Sequence, residues 1–326
     1  MMQNSPFIGH NIDIAASLLR KGEAVAIPTE TVYGLAANAL NSAAVAKIFN
    51  IKQRPTFDPL IIHLSSFDKV SEYVQDIPDI FVTLSEKFTP GPLTFLLKKK
   101  DIIPDLVTSG SPYVAVRIPS HPVTKALLEK LDFPVAAPSA NPFGYISPTT
   151  AQHVADQLGS KVYYILDGGP CEVGLESTII GINEHGEIEV LRKGGLSIEN
   201  ISTLTGNVLI KDISTSNPLA PGMLSSHYAP KIKLTLGDIR QLSANANPER
   251  TGIIAFKNFL PNISTNHQIV LSPSGNYVDA ARNLFSGMRY LDSCDLDIIY
   301  AELVPEVDLG LAINDRLRRA AHVAQD

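Results

Sequence analysis

The sequence predicts an α/β protein of two domains, in which a mixed sheet with helices precedes a smaller, doubly wound domain. The chain has 326 residues, of which 44% are hydrophobic, and one hydrophobic core rarely serves a chain of that length. Short apolar strand segments alternate with helical segments on both sides of residue 220. Between them, residues 212–231 break this alternation with Ser and Pro and with one Asn and one Gly, which is typical of a connection between domains.

The first domain opens with alternating helices and strands. A helix is predicted over residues 11–20, behind the capping candidates Asn11 and Asp13. A strand at EAVAIPT precedes a second helix, NSAAVAKIFNIK, for which we expect Ser42 as N-cap and an end before Pro55. Further strands are predicted at PLIIHL, LTFLLK, YVAVRIP, FPVAAPS and VYYILDGG, and ESTIIGINEHGEIEVLRKG is typical of a hairpin. This domain is expected to be mixed α/β or α+β.

The second domain repeats a simpler pattern. Strands are predicted at IKLTL, GIIAF, QIVLS and LDIIYAEL, with helices at NYVDAARNLFSGMRYL and LGLAINDRLRRAA. This alternation favours a small doubly wound domain. The predicted boundaries are therefore 1–211 for the first domain, 212–231 for the linker and 232–326 for the second domain.

Composition excludes several classes of function. The net charge is −6 with both signs interspersed, so the surface as a whole does not favour binding to a nucleic-acid backbone, although a local basic pocket stays compatible. Cys171 and Cys294 lack metal-site spacing, and we expect free thiols in a reducing compartment. The first residues do not resemble a signal peptide, and the chain has no apolar run of about 20 residues, the length that spans a bilayer. We therefore expect a cytoplasmic protein without membrane partners.

The segment KQRPTFDPLIIH places two cations, Lys52 and Arg54, around a predicted helix end. A residue before proline is driven out of the helical region, and residues two apart in an extended chain project to one side. The two cations would then act together on one anion. An alternative is that they only complement the helix dipole, a contribution of about 0.3–1 kcal/mol.

The segment APSANPFGYISPTT has a similar design, with Ser139 and Asn141 two apart and Pro142 next. The two pairs together would suit a phosphate chain or an acyl oxyanion, although an ordinary turn also explains the second pair. A third segment, PTETVYGLAANA, supplies several hydroxyl side chains where a strand ends. Ligands of open α/β sheets bind at that end of the strands, which favours the functional interpretation.

A set of motifs in fixed order resembles a known family. The motifs are PTETVYGLAANA, KQRP, PLIIHL, PGPLTFLL, VAVRIPSHP, APSANPFGYISPT, GLESTII, LRKGG and APGMLSSHYAPK. In this order they resemble the threonylcarbamoyl-AMP synthases of the YrdC superfamily, in their longer two-domain type. The resemblance covers the chain from about residue 24 to residue 231. It implies a YrdC-like twisted mixed sheet followed by a smaller, Rossmann-like α/β domain.

The resemblance implies a nucleotidyl transfer. L-threonine, bicarbonate and ATP would give threonylcarbamoyl-AMP and pyrophosphate, and a separate complex would use this adenylate to modify tRNA. ATP would be a substrate, with Mg²⁺ as its expected companion, and no tightly bound cofactor is implied. Direct tRNA binding would be weak.

The resemblance also assigns residues to roles, and it implies no metal ligands from the protein. The group around the reacting phosphate and carbamate comprises Lys52, Arg54, Ser139 and Asn141. The implied threonine contacts are Thr31, His63, Arg117, Ala137 and Ser177. The implied nucleotide contacts are Arg54, Asp58, Tyr113, Ser139, Ser147, Arg192 and Tyr228. Linker residues 212–231 would close over the pocket.

Two other functions stay open at this point. The chain could be an RNA-binding module of the same fold without synthase activity, or a carbamoyl transferase with another acceptor. Relatives of the second kind carry zinc-finger cysteines, which this sequence does not have.

Overall fold

The computed structural model describes residues 7–211, 221–222 and 227–322. Within these ranges the strands form two sheets, one of eleven strands and one of four. The predicted class, a large mixed sheet with helices followed by a smaller α/β unit, is confirmed. Parts of the predicted linker, residues 212–220 and 223–226, lie outside the described residues.

The larger sheet carries the functional segments. Its strands are β1 (Phe7–Gly9), β2 (Val25–Ile27), β3 (Gly34–Asn38), β4 (Ile61–His63), β5 (Leu93–Lys98), β6 (Tyr113–Arg117), β7 (Val135–Ala136), β8 (Tyr164–Leu166), β9 (Thr178–Ile182), β10 (Ile188–Arg192) and β11 (Leu209–Ile210). Their order is β1-β8-β2-β3-β7-β4-β6-β5-β9-β10-β11. Parallel pairs such as β4–β6 and β5–β9 stand beside antiparallel pairs such as β5–β6. The predicted hairpin is the antiparallel pair β9–β10.

Seven α-helices accompany this sheet in the described residues. They are α1 (Ile12–Arg20), α2 (Ser42–Lys52), α3 (Asp79–Phe88), α4 (Asp105–Thr108), α5 (Pro122–Glu129), α6 (Ala151–Leu158) and α7 (Ile198–Thr205). Asn11 caps α1, as expected. The predicted cap of α2 is wrong by one residue, because the Asn41 side chain accepts from the amides of Ala43 and Ala44, and Ser42 is the first helical residue.

The second unit is a parallel sheet with helices. Its strands are β12 (Leu234–Leu236), β13 (Thr251–Ala255), β14 (Gln268–Val270) and β15 (Ile298–Ala301), in the order β12-β15-β13-β14. Its helices are α8 (Ile239–Ser243), α9 (Tyr277–Asp292) and α10 (Gly310–Ala321). No α-helix in the described part of the chain is long and apolar enough to cross a membrane.

The two units share a hydrophobic core. Val32, Ile146 and Leu175 of the first unit belong to the same buried cluster as Leu284 and Phe285 of helix α9. The first unit also has its own large core between the sheet and helices such as α2. The second unit is therefore packed against the loops that follow the strands of the first sheet, which is where the predicted site lies.

Candidate active site

Helix α2 ends in a turn that presents Lys52 and Arg54. Lys52 is the last helical residue, and Gln53 adopts the left-handed conformation with φ 53° and ψ 39°. The amide of Arg54 donates to the Phe49 carbonyl and that of Gln53 to the Asn50 carbonyl, which is the Schellman arrangement. The predicted extended conformation is therefore wrong at Gln53, and a left-handed turn separates the two cations.

Lys52 connects helix α2 to the segment that carries Ser139 and Asn141. Its side chain is buried, and Nζ donates to the carbonyl oxygens of Ser139 and Asn141, both at 2.5 Å. Burial lowers the pKa of Lys52 well below its ordinary value, and the positive charge of Arg54 lowers it further. An anion bound beside Nζ would favour the charged form again.

Arg54 is buried beside Asp58. Its Nε donates to the Asp58 carbonyl at 3.0 Å, and its Nη2 donates to the Pro59 carbonyl at 2.8 Å. The same Nη2 lies 2.8 Å from the Asp58 carboxylate. Asp58 therefore fixes the guanidinium of Arg54 and balances its charge.

The segment after strand β7 holds Ser139 and Asn141 close to strand β3. Ser139 forms a bridge with Gly34. The side-chain nitrogen Nδ2 of Asn141 donates to the carbonyls of Pro142 and Tyr145, at 2.9 and 2.7 Å. Its buried Oδ1 has no hydrogen-bond partner among the described residues. Asn141 thus keeps an acceptor available beside the Lys52 ammonium, whereas its donor is already used.

His63 and Arg117 end two neighbouring parallel strands. They are paired residues of β4 and β6, so both lie at the carboxyl edge of the sheet. Burial and the charge of Arg117 lower the pKa of His63 to about 3, which keeps its imidazole neutral near pH 7. The Arg117 Nη2 lies 2.7 Å from Glu30 Oε1, and its Nε donates to the Gly91 carbonyl at 3.3 Å.

Arg192 joins Ser177 to the described part of the linker. Its Nη2 and Nε donate to the hydroxyl and the carbonyl of Ser177, each at 3.0 Å, and its Nη1 donates to the Pro221 carbonyl at 3.1 Å. Burial lowers the pKa of Arg192 to about 10, so the side chain still carries a positive charge at pH 7.

Glu176 is a buried carboxylate of this site that the sequence analysis did not select. It accepts from the Ser147 hydroxyl at 2.5 Å and from Arg316 Nε of helix α10 at 2.9 Å. Burial alone would raise the pKa of Glu176, but the charges of Arg316 and Arg192 and the Ser147 hydroxyl together hold it below its ordinary value. Its neighbour Ser177 was selected from the same motif, GLESTII.

These side chains enclose a cavity of about 40 Å³. Its lining is Thr31, Val32, Arg54, Ile61, His63, Arg117, Ala137, Pro138, Ser139, Glu176, Arg192, Pro221, Gly222, His227 and Tyr228. Eight of the residues predicted from sequence are among them. Lys52, Asp58, Asn141, Ser147 and Ser177 contact lining residues directly or through one hydrogen bond.

Tyr113 lies apart from this cavity. It begins strand β6, whereas Arg117 ends it, and 43% of Tyr113 is exposed. A larger cavity of about 670 Å³ lies between helices α6 and α9 and has none of the predicted site residues in its lining.

The fold and this cavity define a class of protein, namely a two-unit α/β protein with a small polar pocket that is lined by Arg54, Arg117 and Arg192. A family model described as "Telomere recombination", that of the Sua5, YciO and YrdC proteins, matches residues 17–194. The model of the threonylcarbamoyl-AMP synthase C-terminal domain matches residues 196–322.

Full-length relatives agree with both models. The threonylcarbamoyl-AMP synthase of Pyrococcus abyssi is 39% identical, over 95% of this chain and 94% of its own length. That of Bacillus subtilis is 37% identical, over 94% of this chain and 92% of its own length. A crystal structure of Pyrococcus abyssi Sua5 with L-threonine superposes with a TM-score of 0.88, at 39% identity, and covers 95% of this chain and 94% of that one. The chain belongs to the threonylcarbamoyl-AMP synthase family.

Proposed function

We propose that this protein is an L-threonylcarbamoyladenylate synthase, which converts L-threonine, bicarbonate and ATP to threonylcarbamoyl-AMP and pyrophosphate. The product supplies the threonylcarbamoyl group for modification of tRNA by a separate complex, in the cytoplasm. The observation that carries the proposal is the similarity to synthases over 94–95% of the chain, together with a cation-rich pocket at the carboxyl edge of the sheet.

The reaction requires two bonds to form. The threonine amine attacks the carbon of bicarbonate, and loss of water leaves a carbamate. A carbamate oxygen then attacks the α-phosphorus of ATP, and pyrophosphate leaves with the electron pair of the broken P–O bond. No covalent bond to the protein is needed, so positioning and charge stabilisation carry the catalysis.

The threonine end of the pocket is formed by Thr31, His63, Arg117, Ala137 and Ser177. Arg117 binds the threonine carboxylate, because its planar guanidinium suits two parallel hydrogen bonds. Glu30 holds that guanidinium from the other side. A neutral His63 accepts or donates a single hydrogen bond without adding charge, and hydroxyl groups at Thr31 and Ser177 discriminate by bonding the threonine hydroxyl.

The nucleotide end is formed by Arg54, Ser139, Ser147, Arg192 and Tyr228. Arg54 and Arg192 stabilise the phosphate charge, and Asp58 keeps Arg54 in place. Tyr113, at the opposite end of strand β6 from Arg117, stays a predicted nucleotide contact outside this cavity.

Lys52 and Asn141 act between the two ends. An ammonium group has three donors, and two of those of Lys52 are bound to the carbonyls of Ser139 and Asn141. The third donor is directed to the carbamate or the α-phosphate. The unpaired Oδ1 of Asn141 is an acceptor for the nitrogen of the carbamate.

Mg²⁺ accompanies ATP as part of the substrate. The described residues contain no group of three acidic, His or Cys side chains that could hold a metal. Mg²⁺ commonly keeps several waters and binds through substrate phosphates, so the phosphates supply most of its ligands.

The linker acts as a lid. One water needs about 10–15 Å³ of cavity volume, so a cavity of about 40 Å³ holds a few waters but not threonine and ATP together. Pro221, Gly222, His227 and Tyr228 form one wall of it. These residues have to move outward to admit the substrates, and their return excludes water from the labile carbamate.

The assay that tests the proposal is pyrophosphate release from ATP without RNA. We expect release only when L-threonine and bicarbonate are both present. An RNA-binding module would release none. A carbamoyl transferase with another acceptor would show no requirement for threonine, and substitution of serine or valine for threonine measures that requirement.

A further inference from the structure

Helix α10 of the second unit reaches the nucleotide end of the pocket through Arg316. The side chain of Arg316 is completely buried, although it belongs to the unit that does not carry the catalytic segments. Its guanidinium lies between Glu176 and the carbonyl of Lys193, with bonds of 2.9 Å to each. It also lies 4.9 Å above the centre of the Tyr228 ring.

Glu176 transmits this contact to a second residue of the pocket. One of its carboxylate oxygens accepts from Arg316, and the other accepts from the hydroxyl of Ser147 at 2.5 Å. The Ser147 hydroxyl donates to this carboxylate, which leaves its oxygen lone pairs directed away from Glu176. One arginine thus fixes the orientation of a hydroxyl and the position of an aromatic ring.

The stability of the fold does not by itself explain this arrangement. Replacement of a buried ion pair by apolar residues is often neutral or stabilising, and the surroundings of Arg316 already include a shared hydrophobic cluster with Tyr228 and Leu317. A planar, permanently charged group is better suited to hold two partners in fixed directions.

We propose that Arg316 is a positioning residue of the nucleotide site, which orients Ser147 through Glu176 and holds the Tyr228 ring against the place of ATP. The inference rests on the proposed function and adds that the second unit completes the nucleotide site. Arg316 is placed to act on ATP, because Ser147 and Tyr228 belong to the nucleotide end, whereas Arg117 and His63 at the threonine end are outside its contacts.

The test compares Arg316→Gln with Arg318→Gln in the full chain. Arg318 lies on the same helix, but its side chain is 49% exposed and pairs with Glu306 at 2.6 Å. We expect Arg316→Gln to raise the KM for ATP about tenfold or more, the scale of a misplaced contact group, with the KM for threonine within about twofold. Arg318→Gln should leave both values unchanged. Equal changes in both KM values for Arg316→Gln, or no change, would overturn the proposal.

A paired variant covers the case in which Arg316→Gln does not fold because Glu176 is left as a buried charge. Glu176→Gln combined with Arg316→Gln removes both charges and keeps a side chain that can bind Ser147. We expect this double variant to raise the KM for ATP more than the KM for threonine and, where Arg316→Gln folds, by less than the product of the two single effects. Strictly multiplicative effects of the two substitutions on the KM for ATP would contradict the coupling between Arg316 and Glu176. A double variant in which the KM for threonine rises as much as the KM for ATP would contradict it too.

Calorimetric titration with ATP separates this inference from the proposed function. If the unchanged protein binds ATP but releases no pyrophosphate, the synthase proposal fails, and the ATP affinities of the Arg316 variants still decide the role of Arg316. Weaker ATP binding in Arg316→Gln than in Arg318→Gln supports it, and equal binding overturns it.

Discussion

The substitution Lys52→Met removes a buried amino group next to the pocket residue Ser139 and retains most of the side-chain volume. Lys52 is buried, and its Nζ donates to the carbonyls of Ser139 and Asn141. In the proposed mechanism its remaining donor stabilises charge on the carbamate or the α-phosphate. Loss of one such donor costs a factor of about 10²–10³ in turnover, or about 2.7–4 kcal/mol.

The same change affects folding. Two buried carbonyl oxygens lose their donor, and each unsatisfied group costs about 1–3 kcal/mol. The loss is partly offset because the folded protein no longer buries an ammonium group. A decrease in the melting temperature is therefore expected together with the loss of turnover.

Pyrophosphate release at saturating ATP, threonine and bicarbonate measures the effect on turnover, at a temperature where circular dichroism shows the variant folded. Lys47→Met is the matched control, because Lys47 lies on the same helix α2 with its side chain 40% exposed and pairs with Glu23. Such surface pairs contribute about 0–1 kcal/mol. Turnover of Lys52→Met within about threefold of Lys47→Met would refute a catalytic role, and Lys52 would then only complement the helix end.

Three further predictions follow from the site. Arg117→Lys should raise the KM for threonine about tenfold, because an ammonium cannot form the paired bonds of a guanidinium, while the KM for ATP stays constant; similar increases in both would argue against Arg117 as the carboxylate contact. His63 has a pKa of about 3 in the folded protein against about 6.5 unfolded, so protons bind the unfolded state first as the pH falls. As the pH falls, this residue should therefore decrease the free energy of unfolding by about 1.4 kcal/mol per pH unit, or about 2 kcal/mol from pH 6.5 to pH 5. In denaturant titrations at several pH values, the free energy of unfolding of His63→Gln should depend less steeply on pH than that of the unchanged protein. Equal slopes against pH for the two proteins would contradict a buried neutral His63. Deletion of residues 212–326 should abolish pyrophosphate release, because it removes Tyr228 and Arg316 from the nucleotide end; full activity of the truncated chain would exclude both roles.

The site could be predicted from sequence where short motifs bring side chains together locally. KQRP predicts that Lys52 and Arg54 act together on one anion, and both residues lie at the end of helix α2, but the predicted extended conformation is wrong at Gln53. A left-handed residue depends on how the helix end packs, and glutamine gives no signal for it as glycine would. The position of Asn41 as the cap of α2 shows the same limit, since Asn41 and Ser42 are both good caps.

Contacts between distant segments were harder to predict. Glu176 lies in the motif GLESTII, yet its neighbour Ser177 was selected because resemblance assigned it a role. A buried pair that joins Glu176 to Arg316, 140 positions along the chain, has no periodicity or spacing that marks it. In the sequence, Arg316 stands among other charged residues of its helix, a pattern that is typical of a solvent-exposed helix face. Only the packed structure therefore shows that Arg316 is buried.

Tyr113 stays a predicted nucleotide contact that the described cavity does not include. Its position in the order of motifs is that of a nucleotide contact, but the strand places it at the end opposite to Arg117, with its side chain exposed. Strand residues at positions 113 and 117 are about 13 Å apart, so a contact of Tyr113 with the nucleotide would lie outside the described cavity.

The most direct test of the account is a crystal structure with L-threonine and a non-hydrolysable ATP analogue bound together. We expect the threonine carboxylate on Arg117, the α-phosphate within hydrogen-bond distance of Lys52 or Arg54, and Tyr228 against the nucleotide. Ligands bound in the larger cavity between helices α6 and α9, with the four residues Lys52, Arg54, Ser139 and Asn141 free of contacts to either, would contradict it.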